Sequence, residues 1–436
     1  MIKKSIPLLT ASLLTFLPHA QAASPSQLLQ NLQQSNASLE TKLIDWRRDI
    51  HANPELSNRE FKTAEKVASH LKSLGMDVET GIAHTGVVGL LKGAQPGPTI
   101  AIRADMDALP VTEEVDIPFA SKATSTYRGE TVGVMHACGH DAHVAILMAI
   151  AESFSKMKDD LKGNIVFIFQ PAEEGAPHGE EGGAELMLAE GLFKKYQPEA
   201  VFGLHVTSSL HVGTVGYRPG PAMAAVDDFI MKVKGVQTHG SRPWHGIDPI
   251  VTAAQIINST QTIISRHTDI TKGPAVVSFG AIKGGIRNNI IPDSVEMVGT
   301  IRNFDMKNRE KIHKLLKHNA DLTAKAAGAE VETIINIGYP VTYNNEQLTE
   351  DALPVIKQAG GVEQVIKMPL ITGAEDFSFF AREVPGFYFF LGVSPKSQDL
   401  KTAPSNHSPR FYIDESGLMA GVNALSVTAL NYLNTH

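Results

Sequence analysis

The chain of 436 residues carries a single cysteine, Cys138, so it cannot form a disulfide within itself. It has no long lysine and arginine run, and its formal net charge is −7. That balance leaves no electrostatic footprint for nucleic acid or for an anionic membrane surface. Past its first residues no apolar run approaches the roughly 18 residues that a spanning helix needs. Internal repeats and low-complexity tracts are absent too. What is left is a length that suggests two or three domains of roughly 100–200 residues each. Such a chain can bury a large core without covalent staples.

The start of the chain has its own character. Lys3 and Lys4 precede an apolar stretch over 6–17, and Ala20-Gln21-Ala22 supplies small residues at a cleavage point. Charge, length and small residues together predict a secretory signal peptide over 1–22, hence export to a periplasm or the extracellular space. Exported proteins usually carry disulfides. A lone Cys138 is then either an inert buried thiol or one with a chemical task.

Helical spacing runs over 38–74, with Leu39, Leu43, Trp46 and Ile50 on one face. Short apolar runs bounded by Gly and Pro follow at 86–91, 99–103, 164–169 and 200–204, with helical patterns at 142–154 and 183–188 between them. This alternation predicts an α/β catalytic domain with a mostly parallel sheet covered on both faces. Near Pro219-Gly220-Pro221 the pattern changes. Strand 229–233, helix 248–266, strands 276–282 and 294–302, helix 306–327 and strand 330–337 form a β-α-β-β-α-β order, an inserted ferredoxin-like α+β unit. After it come a buried strand at 387–392 and a helix at 415–433. The expected organisation is a catalytic domain in two pieces, 39–220 and 339–436, around an insertion at 221–338.

Polar residues gather just beyond the expected strand ends: Asp105 and Asp107 after one strand, Gln170, Glu173 and Glu174 after another, His205 after a third. Open α/β sheets bind their ligands in that crevice, and core packing has no need of such a set. Taken alone, Cys138 reads as a small buried hydrophobe. Beside His140, with Glu174, His205 and His407 elsewhere in the chain, it reads as a thiolate metal ligand. His143 reads as a satisfied polar residue or as support for a ligand, and His136 is equally open. Glu173 and Glu174 read as a division of labour: one carboxylate holds a metal, and its neighbour takes a proton from water that the metal has made acidic. The plainer alternative is a solvated acidic loop that also contains Glu180 and Glu181.

The segments Arg103-Ala104-Asp105-Met106-Asp107-Ala108-Leu109-Pro110, Met135-His136-Ala137-Cys138-Gly139-His140-Asp141-Ala142-His143, Gln170-Pro171-Ala172-Glu173-Glu174-Gly175 and Gly203-Leu204-His205 occur in that order. On them the chain resembles the amidohydrolase branch of the aminoacylase/carboxypeptidase metallopeptidases, which includes hippurate hydrolases and hydrolases of indole-acetyl amino acids. The resemblance runs from about residue 39 to the C-terminus. It implies two divalent metal ions, zinc, manganese, cobalt or nickel, with Cys138 between them and His140, Glu174, His205 and His407 completing the shell. It implies Glu173 as general base, with Asp107 orienting or polarising a ligand.

The same resemblance gives the insertion a role. His239, in Gly235-Val236-Gln237-Thr238-His239-Gly240, would meet the oxyanion of the tetrahedral intermediate, in many relatives across a dimer interface. Asn289 and Arg302 would hold the substrate carboxylate, and Glu375 would support a ligand. Gln237-Thr238, where a second glycine is common, and Trp244-His245 depart from the pattern in and beside this segment of the insertion, which the resemblance makes a lid over the site. The implied reaction is hydrolysis of the amide of an N-acyl amino acid by an exported enzyme. A carboxypeptidase or dipeptidase, and a non-catalytic binding protein on the same fold, are the alternatives. Pairing of two chains through the insertion stays open.

Overall fold

A computed structural model describes residues 24–436. The expected signal peptide lies outside the described residues. Within them no helix is long and apolar enough to cross a membrane.

The larger sheet has eight strands in the order Asp77–Ile82, Gly86–Lys92, Lys162–Gln170, Gln95–Asp105, Ala200–His211, Gly386–Ser394, Thr214–Tyr217, Gln364–Lys367. Its centre is parallel: Gln95–Asp105 runs with both Lys162–Gln170 and Ala200–His211, and Gly386–Ser394 runs with Ala200–His211. Alternate residues of each strand enter different cores. Ile100, Ile102, Phe167, Phe169, Phe387 and Phe389 face one side, whereas Ala101, Val166, Ile168, Tyr388 and Phe390 face the other. Burial on both faces explains why these strands read as unbroken apolar runs rather than alternating ones. Helix His140–Ser155 is buried on nearly every side, as an all-round apolar helix must be.

The helical spacing over 38–74 resolves into two helices, Glu40–Ala52 and Phe61–Ser73. Pro54 is the physical cause, because a residue that precedes proline is pushed out of the helical region. The freed segment between them carries side chains into the site. A further helix, Pro25–Ala37, packs against the core through Leu28 and Leu32 and was not anticipated.

A second sheet is antiparallel throughout, in the order Ala275–Gly284, Ser294–Asn303, Ala225–Lys234, Glu330–Ile337. Helices Pro249–Thr262 and Met306–Ala326 supply Ile256 and Leu316 to a core that also holds Phe229, Met231 and Met297. The chain leaves and re-enters the larger sheet at neighbouring points. Val226 N donates to Tyr339 O at 3.0 Å. Asp227 clasps this junction, accepting from Arg309 Nε at 2.9 Å, His313 Nε2 at 2.6 Å and Gly338 N at 3.1 Å.

Candidate metal centre

The parallel strands deliver their polar residues to one edge. The Gln95–Asp105 strand ends in paired register with Gln170. His205 lies inside its strand, not after it, because the Ala200–His211 strand continues along its neighbour from Gly386 onward. The other neighbour stops pairing at Gly203, so His205 stands open to the crevice.

Gly139 joins Cys138 to the helix that starts at His140, with φ +94°, and a Cβ there would meet Val206 Cγ2 at 2.3 Å. Only glycine suits that turn. It sets the sulfur and the imidazole on either side of a tight corner. Cys138 Sγ lies 3.4 Å from His205 Nε2 and 3.3 Å from His407 Nε2. His407 Nε2 is 3.0 Å from Glu174 Oε1. Ligand atoms of Cys138, His140 and His205 form one group within 4.8 Å, and those of Cys138, Glu174 and His407 form another. The sulfur is common to both.

Several groups hold these side chains in place. His205 Nδ1–H donates to Val206 O at 2.6 Å, which leaves Nε2 as the free acceptor. His407 sits on a left-handed turn with φ +72°. Its N–H donates to Ala137 O at 2.7 Å, and Asn406 ties the same loop to Cys138 O and Val206 O, each at 3.1 Å. Asp107 Oδ1 is 3.3 Å from His140 Nδ1. The two oxygens of Asp107 also accept the N–H groups of Glu173 and Glu174, both at 3.0 Å. Ala172, just before, has φ +53°, a strained conformation for a residue with a Cβ, costing on the order of 1–3 kcal/mol.

The local charge is strongly negative. Burial lowers the proton affinity of His140, but Asp105, Asp107 and Glu174 outweigh it and raise its pKa to about 10. Burial, followed by Glu174, Glu173 and Asp105, pushes the Cys138 thiol well up. Burial, with Glu375 and Glu174, pushes Glu173 well above the usual carboxylate range. His140 Nε2 is buried with no hydrogen-bond partner, which typically costs about 1–3 kcal/mol. Sulfur, imidazole and carboxylate in two triads, with an orphaned nitrogen and surplus negative charge, fit a pair of divalent cations.

His143 is not available to them. Its Nδ1–H donates to Asp105 Oδ1 at 2.6 Å, and its Nε2 accepts from Val206 N at 2.9 Å. His136 lies outside the groups, near His51, and burial lowers its pKa to about 3. Glu375 sits beneath the site, bonded to Tyr388 at 2.7 Å and 3.0 Å from Arg103. Arg103 also reaches Asp105 at 2.7 Å and Asp376 at 2.8 Å. Sequence reasoning missed this role of Arg103, and it missed Glu60, Ser57, Arg47 and His51. Arg47 and His51 both grip Asp141 at 2.8 Å, the residue that follows His140. The one available signal was Asn53-Pro54, which breaks the helical spacing.

A cavity of about 890 Å³ opens over the group. Cys138, Glu173, Glu174, His205 and His407 line it, together with Arg302 and Tyr339. Part of its wall is apolar: Leu210, Met223, Ile366, Met368, Ile371 and Phe390. His239 and Asn289 do not line it. His239 is exposed in a short pairing of Thr238–His239 with Ile290–Ile291, and its Nδ1 accepts from Ser241 N at 3.0 Å.

Residues 101–431 match the peptidase family M20/M25/M40. The chain is 40% identical to thermostable carboxypeptidase 2 of Saccharolobus solfataricus over 409 residues, covering 93% of this chain and 99% of that one. It is 35% identical to an IAA-amino acid hydrolase of Arabidopsis thaliana, over 89% of this chain and 86% of that one. Its fold resembles the crystal structure of a dinuclear metal-binding peptidase of the M20 family from Bacillus subtilis. That match has a TM-score of 0.77 and 34% identity, and covers 92% of this chain and 100% of that one.

Proposed function

This chain belongs to peptidase family M20/M25/M40 and is a metal-dependent amide hydrolase with two divalent metal ions, and on that premise we propose that it cleaves N-acyl amino acids with an apolar acyl group. The observation that carries this reading is the Cys138 sulfur shared by two ligand triads, in a cavity that also contains a buried glutamate and an arginine.

Cys138, His140, Glu174, His205 and His407 would hold the two cations. When bound, these supply Lewis acidity to the amide carbonyl and to water. Glu173 takes the proton of the attacking water and delivers it to the leaving nitrogen. Asp107 keeps the Glu173 and Glu174 backbone in register with His140. Arg302 offers a planar fork to the free α-carboxylate. The apolar wall formed by Leu210, Met223, Met368 and Phe390 suits an aromatic acyl group, as in hippurate-like conjugates.

A panel of benzoyl, indole-acetyl and acetyl amino acids set against dipeptides tests the substrate. The benzoyl or indole-acetyl compounds are expected to give the highest kcat/KM. Preference for dipeptides instead favours a carboxypeptidase or dipeptidase, the activity in the name of the Saccharolobus relative. Arg302→Ala is expected to raise KM about 10–100-fold, the loss of a charge-assisted hydrogen-bond pair. An unchanged KM removes Arg302 from the carboxylate site.

His239, as oxyanion donor, and Asn289, as carboxylate ligand, reach the site from a second copy of the chain. Their exposure supports this, as do the free edge strand Ala275–Gly284 and its exposed Val276 and Ile282. Mixing Glu173→Gln chains with His239→Ala chains then regenerates one intact site per mixed dimer, and turnover recovers. A monomer in sedimentation, or no recovery on mixing, sinks the shared site. Export through the N-terminal segment, to a periplasm or beyond the cell, is part of the same proposal.

A further inference from the structure

Resting on the reading of Glu173 as the base, we propose that Glu60, outside the ligand groups, is a positioning residue that fixes the turn presenting Glu173. Glu60 is fully buried at the start of helix Phe61–Ser73. It belongs to no candidate ligand group. Its Oε1 accepts from Ala172 N at 3.0 Å and from Asn58 N at 3.1 Å. Its Oε2 is 2.5 Å from the Thr85 hydroxyl.

Three consecutive N–H groups, those of Ala172, Glu173 and Glu174, therefore point at two buried carboxylates from different parts of the chain. Asp107 takes the second and third, and Glu60 takes the first. The first matters most for direction. Ala172 holds φ +53°, and L side chains leave that region unless the surroundings over-determine it. If Ala172 relaxes, the peptide that aims Glu173 rotates with it. Tyr339 Oη donates to Glu173 O at 2.7 Å and fixes the far side of the same residue.

An apolar side chain would be cheaper to bury at position 60. Burial and the nearby Asp107 both work against a charge there, raising the Glu60 pKa to about 8. An acceptor directed at Ala172 N and Asn58 N is what the position supplies. Glutamine can supply it too, with its amide N–H₂ turned to the Thr85 oxygen. Methionine, of similar length, cannot.

The test is steady-state kinetics on the metal-loaded enzyme, with metal content measured by elemental analysis. Glu60→Met is expected to keep both ions and the parental KM while kcat falls about ten- to a hundredfold, the scale of a misplacement of about 1 Å. Glu60→Gln is expected to recover most of the loss, which a requirement for charge or for bulk would not allow. Thr85→Val frees one carboxylate oxygen of Glu60 and is expected to lower kcat in the same sense but less, and it serves if Glu60→Met does not fold. In a Glu173→Gln background Glu60→Met is expected to add little, because both act on one step. Parental kcat in Glu60→Met, or in Thr85→Val where the first does not fold, with Glu173→Gln inactive, overturns the positioning role alone. So does loss of metal in parallel with kcat. Normal turnover in Glu173→Gln overturns the base itself, and this proposal with it.

Discussion

Glu173→Gln is expected to lower kcat about a hundred- to ten-thousandfold, the usual contribution of a placed general base, while two metal ions per chain stay bound. The metal count is what makes this result informative. Glu173 and Glu174 are adjacent, and both fall within 4.8 Å of a His140 nitrogen. Only Glu174 also groups with Cys138 and His407. A base that is not a ligand can lose its charge without releasing a cation, whereas a ligand cannot. Its environment also suits the task. Burial and the neighbouring carboxylates raise its proton affinity, as an acid–base catalyst working near neutral pH requires. Turnover that survives the substitution, or loss of one ion with it, assigns the proton transfer elsewhere.

Removal of the metals should have the second large effect. Chelation is expected to abolish turnover, and add-back of a divalent ion to restore it, with thermal stability falling and recovering in step. At a free ion concentration a hundredfold above Kd, each site contributes about 2.7 kcal/mol to the folded state. Without cations, Cys138, Glu173, Glu174, Asp105 and Asp107 crowd one buried volume, offset in part by Arg103, His140 and His407. Differential scanning calorimetry with and without chelator reads the change. An unaltered melting temperature in a fully stripped sample contradicts a structural coupling between the ions and the fold.

Much of the architecture was legible because its signals are local. The strands at 86–91, 164–169 and 387–392 are apolar on both faces, and the insertion shows its order of strands and helices directly. Asp105, Glu173, Glu174 and His205 stood out because each lies at the end of, just beyond or within a strand of the larger sheet, whereas Cys138, His140 and His407 sit on a turn, a helix start and a loop. Other parts depend on long-range convergence that no window of sequence reveals. Glu60 meets Ala172 across 112 positions, and Ser57 meets Asp107 across 50. Both come from a segment that looks helical until Pro54 is given its full weight. His143 has ligand-like spacing from His140, yet both of its nitrogens serve the backbone and Asp105. That follows from where Val206 passes, not from residue type. His239 and Asn289 sit in motif-like segments, but only geometry shows that they are exposed and do not line the cavity of their own chain.

The chain's one sulfhydryl sits where two ligand triads meet. Oxidation or alkylation at that atom would disable both ion positions in one event, with no second thiol to resolve a sulfenic acid. Bound cations would keep the sulfur deprotonated and coordinated, whereas in the stripped chain burial and Glu174 hold the proton on it, so labelling of this lone thiol by a thiol-reactive dye, without background, should require metal removal and speed up as pH rises.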